Sequence, residues 1–123
     1  MIRFPSLVLA VALALPTPAL AQPAAQTISV WSYGFAPKPI QLAAGRPVTL
    51  TFVNRSGGGH DFTAPGFFAA SRVIAGSAPN GRIKLAPHAT QSITLVPAAG
   101  SYQAHCSHFM HAPMGMTDSI FVR

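Results

Sequence analysis

The sequence predicts one all-β sandwich of about seven or eight short strands. Apolar and polar residues alternate at period two in several short runs, the mark of half-buried strands. Turn-forming residues cut these runs at short intervals: Ala44-Gly45, Ser56-Gly57-Gly58-Gly59, Pro79-Asn80-Gly81, Ala86-Pro87-His88 and Ala99-Gly100. No long apolar stripe at helical spacing is visible.

The front of the chain reads as a targeting segment. Met1-Ile2-Arg3 is a basic start, Leu7 to Leu15 is unbroken apolar sequence, and Ala19-Leu20-Ala21 is an A-x-A cleavage triplet. That pattern is a secretory signal over residues 1–21. The apolar run is far shorter than the roughly 20 residues that span a bilayer, so no membrane anchor is expected. The mature protein would begin at Gln22 in the periplasm of a bacterium. Residues 22–26 read as a short flexible leader and 27–123 as the domain.

The strands follow in order. Ile28, Val30 and Ser32 share one face of the first. Val48, Leu50 and Phe52 alternate with Thr49, Thr51 and Val53. Ile83 and Leu85 alternate with Arg82 and Lys84, and Ile93 and Leu95 with Ser92 and Thr94. Tyr102, Ala104 and Cys106 share a face, and Ile120 and Val122 close the chain. Residues 67–74 are expected to form a helical turn.

Charge and composition narrow the function. Removing Arg3 with the signal lowers the formal net charge from +6 to +5. The basic residues are scattered rather than clustered, which argues against nucleic acid and suits an acidic partner surface. Only Asp61 and Asp118 are acidic. They are a thin supply for general acid–base chemistry, so no enzyme is expected. A single cysteine makes no intrachain disulfide. In an oxidising compartment such a thiol is expected to be buried or metal-bound.

The stretch His105–Met116 holds that cysteine, three of five histidines and three of four methionines. Cys106, His111 and Met116 form a C-x4-H-x4-M string that a tight loop between strands can fold around one ion. His108 and Met114 are rival donors in the same loop. His60 follows the Ser56–Gly59 turn, whose glycines are expected to bend the backbone toward the loop end of the sandwich. Asp61 is placed to accept backbone N–H bonds from the cysteine loop. Two imidazoles, a thiolate and a weak axial thioether suit copper better than zinc.

These motifs together resemble the cupredoxin family of small blue copper proteins. They are Phe35-x-Pro37-x-x-Ile40, Gly45-Arg46-Pro47-Val48, His60-Asp61-Phe62, Gly100-x-Tyr102 and C-x4-H-x4-M. The resemblance covers nearly the whole mature chain and implies a two-sheet Greek-key fold with one mononuclear copper. It implies His60, Cys106, His111 and Met116 as ligands, because family members place the loop histidine three or five residues past the cysteine. His108 lies two past it. The implied role is a one-electron carrier, expected to work as a monomer with a redox partner protein, for which the positive charge suits an acidic surface. His105-Cys106 also occurs in multicopper oxidases, but the paired H-x-H motifs of their copper cluster are absent here. Copper delivery, storage or tolerance is the alternative, since His105, His108, Met110 and Met114 crowd the loop with further donors.

Overall fold

Alternation of apolar side chains along β4, Val48–Asn54, buries every second residue and sets the face of the first sheet. The structure, a computed structural model, describes residues 1–15 and 22–123. Residues 1–15 are exposed and form neither helix nor strand. The expected cleavage triplet Ala19–Ala21 lies outside the described residues. No described helix is long and apolar enough to cross a membrane.

Two five-stranded sheets face each other. The first has the order β2-β1-β4-β8-β6, formed by Gly34–Ala36, Ala24–Trp31, Val48–Asn54, Thr90–Val96 and Arg72–Ala75. The second has the order β3-β10-β9-β5-β7, formed by Ile40–Leu42, Thr117–Val122, Gly100–His105, His60–Thr63 and Arg82–Leu85. β1 runs parallel to β4 and β3 parallel to β10; the other pairs are antiparallel. This is the expected Greek-key sandwich, with ten strands among the described residues rather than seven or eight. The additional ones are short pieces, three residues each in β2 and β3 and four in β6.

Two local differences from the sequence reading have clear causes. β1 begins at Ala24, inside the stretch expected as a leader, because Ala24–Gln26 pair with Val48–Leu50. Helix α1 is Pro65–Ala70, earlier than expected, with proline in its first turn where a missing N–H costs nothing. It stops at Ser71, and the β-branched pair Val73-Ile74 continues as strand β6 against β8.

The core lies between the sheets. Ile28, Val30, Leu50, Phe52 and Leu95 meet Phe62, Leu85, Ile120 and Val122 across it. Phe62 packs against Phe35 and Phe52 at ring-centroid distances of 5.4 and 4.8 Å. Tyr102 folds back so that its hydroxyl donates to Ala98 O at 2.9 Å. A Cβ on Gly100, whose φ is +153°, would sit 3.0 Å from that hydroxyl oxygen. The Gly100-x-Tyr102 spacing is therefore a packing requirement.

One core residue opposes folding. Asp118 is buried on the inner face of β10, and its Oδ2 has no hydrogen-bond partner among the described residues. Burial pushes its carboxyl up to about 6, against the pull of the Ser119 amide and the Lys38 ammonium. A raised carboxyl lets the folded chain hold a proton that the unfolded chain has released. Stability from this residue is therefore greatest below about pH 4 and falls as pH rises toward 6. The full loss is at most about 3 kcal/mol. Asp118→Asn should stabilise the metal-free protein at pH 7 by about 1–3 kcal/mol, with the gain vanishing near pH 4. Urea unfolding at the two pH values measures it; an equal gain at both would refute the assignment.

Candidate metal centre

Three segments meet at one end of the sandwich. The first is the entry to β5. Asn54, buried at the end of β4, gathers the loop before it. Its Nδ2 donates to Gly58 O at 2.8 Å and Ala86 O at 3.0 Å, and its Oδ1 accepts from Ser56 Oγ at 2.8 Å. These bonds set His60 at the first position of β5, with 2 % of its surface exposed. Gly57, Gly58 and Gly59 are not in the left-handed region, and a Cβ there would meet nothing closer than 3.5 Å. The bend expected of the glycines is thus made by Asn54.

The second segment is the β9–β10 hairpin. Cys106 follows β9 and is buried, and its N–H donates to Met116 O at 3.1 Å. Turn bonds organise the loop between them: His111 N–H to His108 O and Met116 N–H to His111 O, both 3.1 Å. The loop closes because β9 and β10 pair directly below it, His105 opposite Thr117.

The side chains of the two segments converge. Cys106 Sγ lies 3.4 Å from His111 Nδ1 and 4.0 Å from His60 Nδ1, and the two Nδ1 atoms are 3.2 Å apart. A point equidistant from the three atoms lies about 2.1 Å from each, close to Zn–N and Zn–S bond lengths of roughly 2.0–2.3 Å. Burial holds the His60 imidazole below its usual value, and His111 and His108 act in the same sense against Asp61. His60 is thus a neutral base at neutral pH. Burial likewise pushes the Cys106 thiol up. Three Lewis bases facing one another at these separations repel unless a proton or a cation lies between them. The residues present fit a soft metal ion.

Burial separates the rival donors. Met116 is fully buried and its backbone bonds both Cys106 and His111, whereas Met114 and Met110 are more than half exposed. His108 is outside the trio. It stacks on His111 with ring centroids 5.3 Å apart, and its Nε2 lies 3.7 Å from Asp61 Oδ2. His105 stays on β9, partly buried, and His88 is exposed in the β7–β8 turn.

Asp61 ties the two segments as expected. Its Oδ1 accepts from Ser107 N–H at 2.8 Å and Thr63 Oγ at 2.7 Å, and its Oδ2 accepts from Ser107 Oγ. Burial alone would raise this carboxyl. The Ser107 hydroxyl and amide and the Thr63 hydroxyl outweigh it and hold the group below the usual carboxylate range.

The third segment, the β1–β2 turn, was not legible as part of a site. Ser32 Oγ lies 3.0 Å from His60 Nε2. Tyr33 stands edge-on to both imidazoles, with centroids 5.0 Å from His111 and 6.5 Å from His60. Neither residue belongs to a metal-ligand pattern, so only the pairing of β1 with β2 reveals them.

Comparison with known proteins agrees with this fold. No curated protein matches the chain in sequence. Among solved structures the fold is similar to auracyanin B, at 20 % identity and TM-score 0.57, covering 89 % of this chain and 93 % of that one. It is similar to the dithionite-reduced auracyanin of the photosynthetic bacterium Roseiflexus castenholzii, at 19 % identity and TM-score 0.61, covering 84 % and 99 %. It is also similar to auracyanin A, a "blue" copper protein of Chloroflexus aurantiacus, at 20 % identity and TM-score 0.59, covering 83 % and 100 %. The family profile described as a cupredoxin-like domain matches residues 4–117, most of the sequence, and the chain belongs to that family.

Proposed function

We propose that this chain would hold one copper ion between His60 Nδ1, Cys106 Sγ and His111 Nδ1, with Met116 as a further weak donor, and serve as a one-electron carrier. The triangle of donor atoms carries the reading. Its chemistry favours copper: one thiolate, two imidazoles and a thioether are soft or borderline donors, whereas structural zinc takes four strong ligands. Copper supplies the Cu(I)/Cu(II) couple.

The chain's own residues do the rest. Donors already at bonding separations need no assembly in either oxidation state, which keeps reorganisation small. Sheet and loop keep water from Cys106 and His60, both nearly inaccessible. His111 is only partly buried, with exposed Phe109 and Met114 on its loop, so electrons leave by its edge. Arg82, Lys84 and His108 line a cavity of about 310 Å³ beside His60, which suits an acidic partner. A basic start, apolar run and A-x-A triplet support export to the periplasm.

One observation favours copper delivery instead. Met110 and Met114 expose thioethers on the ligand loop outside the trio. A carrier of ions would use such donors to pass copper onward. Challenge of the loaded protein with a Cu(I) chelator decides: slow loss supports electron transfer, and rapid loss that slows in Met110→Leu/Met114→Leu supports delivery.

The mature protein should develop an intense absorption band toward the red on adding Cu(II), and Cys106→Ser should abolish it. A band that survives the substitution would sink the ligand assignment. Met116→Leu should keep the band and raise the reduction potential by on the order of 100 mV, while Met114→Leu should leave it nearly unchanged. Voltammetry of the two variants distinguishes the axial donor from its neighbour.

A further inference from the structure

We propose that Ser32 is a positioning residue for the metal centre: its hydroxyl accepts the Nε2–H of His60, fixes that tautomer and aims the Nδ1 lone pair at Cys106 and His111. The hydroxyl oxygen lies 3.0 Å from Nε2, and among the described residues it is the one hydrogen-bond partner of that nitrogen. A ring as buried as His60 rarely leaves an N–H unmet, because the unpaired donor costs about 1–3 kcal/mol. The nearest carboxylate, Asp61, is committed to Ser107 and Thr63. Among the described residues no second acceptor bonds that nitrogen.

The turn is built to hold this hydroxyl in place. Trp31 pairs with Gly34, which leaves two residues at the tip, Ser32 and Tyr33. Ser32 meets the buried imidazole and Tyr33 meets the edge of His111. The Trp31 indole lies directly over Gly34: a Cβ there would sit 2.7 Å from Trp31 Cζ2. Gly34 thus permits the close crossing that pins the turn. A histidine that binds metal through one nitrogen is oriented by the bond its other nitrogen makes, and losing that bond costs affinity. Ser32 is exposed, so its own hydroxyl proton is free to meet water.

The consequence for copper rests on the proposed function, but the hydrogen bond is testable without metal. The experiment is nitrogen-15 NMR of the imidazoles in the metal-free protein at about pH 8, where neutral rings predominate. Wild type, Ser32→Ala, Ser32→Thr and Gly34→Ala are compared. Wild type should show His60 as the Nε2–H tautomer with slow proton exchange. Ser32→Ala should mix the tautomers and speed exchange at least tenfold, Ser32→Thr should restore wild-type behaviour, and Gly34→Ala should shift in the same direction as Ser32→Ala. Copper affinity should then fall several-fold in Ser32→Ala and the charge-transfer band should move, with both recovered in Ser32→Thr. Identical tautomer and exchange rate in wild type and Ser32→Ala would overturn the proposal. A tautomer change in a protein whose wild type shows no copper band would support the positioning role and overturn the copper reading instead.

Discussion

One buried carboxylate holds the metal end of this protein together. β5 and β9 share a single ladder pair, Thr63 opposite His105. Beyond it the two strands would be free to splay, carrying His60 and Cys106 apart. Asp61 prevents this with three hydrogen bonds to its two oxygens, two of them from Ser107, the residue after the cysteine. A bare carboxylate is expensive to bury, and these charge-assisted bonds offset the cost. His60 and Cys106 adjoin the two ends of that bridge, so their separation follows from it. Asp118 is the contrast: equally buried, it has an orphaned oxygen and a raised carboxyl. The same side chain strengthens the fold where donors surround it and weakens it where they do not.

The donor atoms are held from outside as well as from below. Asn54 fixes the loop before His60, the Cys106–Met116 backbone bond closes the ligand loop, and Tyr33 abuts His111. None of these contacts requires an ion. The scaffold therefore holds the thiol and the two imidazoles together, and a cation entering the triangle would displace the thiol proton. Metal binding and folding reinforce each other in such a site, because the ion binds the folded chain far better than the unfolded one.

Much of this was legible in the sequence, and the limits are physical. Period-two alternation marks a strand with one wet face, so β4 and β8 could be read directly. β5 could not, because His60, Asp61, Phe62 and Thr63 are all buried and leave no alternation to see. β6 hid for the opposite reason: all four of its residues are exposed on an edge. The meeting of Cys106 and His111 was legible because they are close in sequence, and His60 because one histidine stood beside a turn. Asn54 and Ser32 were not, since each acts through a hydrogen bond set by tertiary placement. The glycine run before His60 suggests a bend that Asn54 in fact makes.

The balance between carrying electrons and carrying copper turns on how the loop divides its donors. A donor useful for ion exchange must reach solvent, because an incoming ligand has to displace it. Cys106, His60 and Met116 do not reach solvent, and His111 does so only in part. Exchange would have to begin at His111 and then pass His108, which stacks over it near the Asp61 carboxylate. Opening that path means separating stacked rings and drawing His108 away from the Asp61 carboxylate. Electron transfer asks for none of this: it needs only a short path from the His111 edge to a docked partner. Met110 and Met114, both more than half exposed, differ in this from the buried donors. They add soft surface to the loop without opening the centre, which is why the geometry favours the electron over the ion as the cargo.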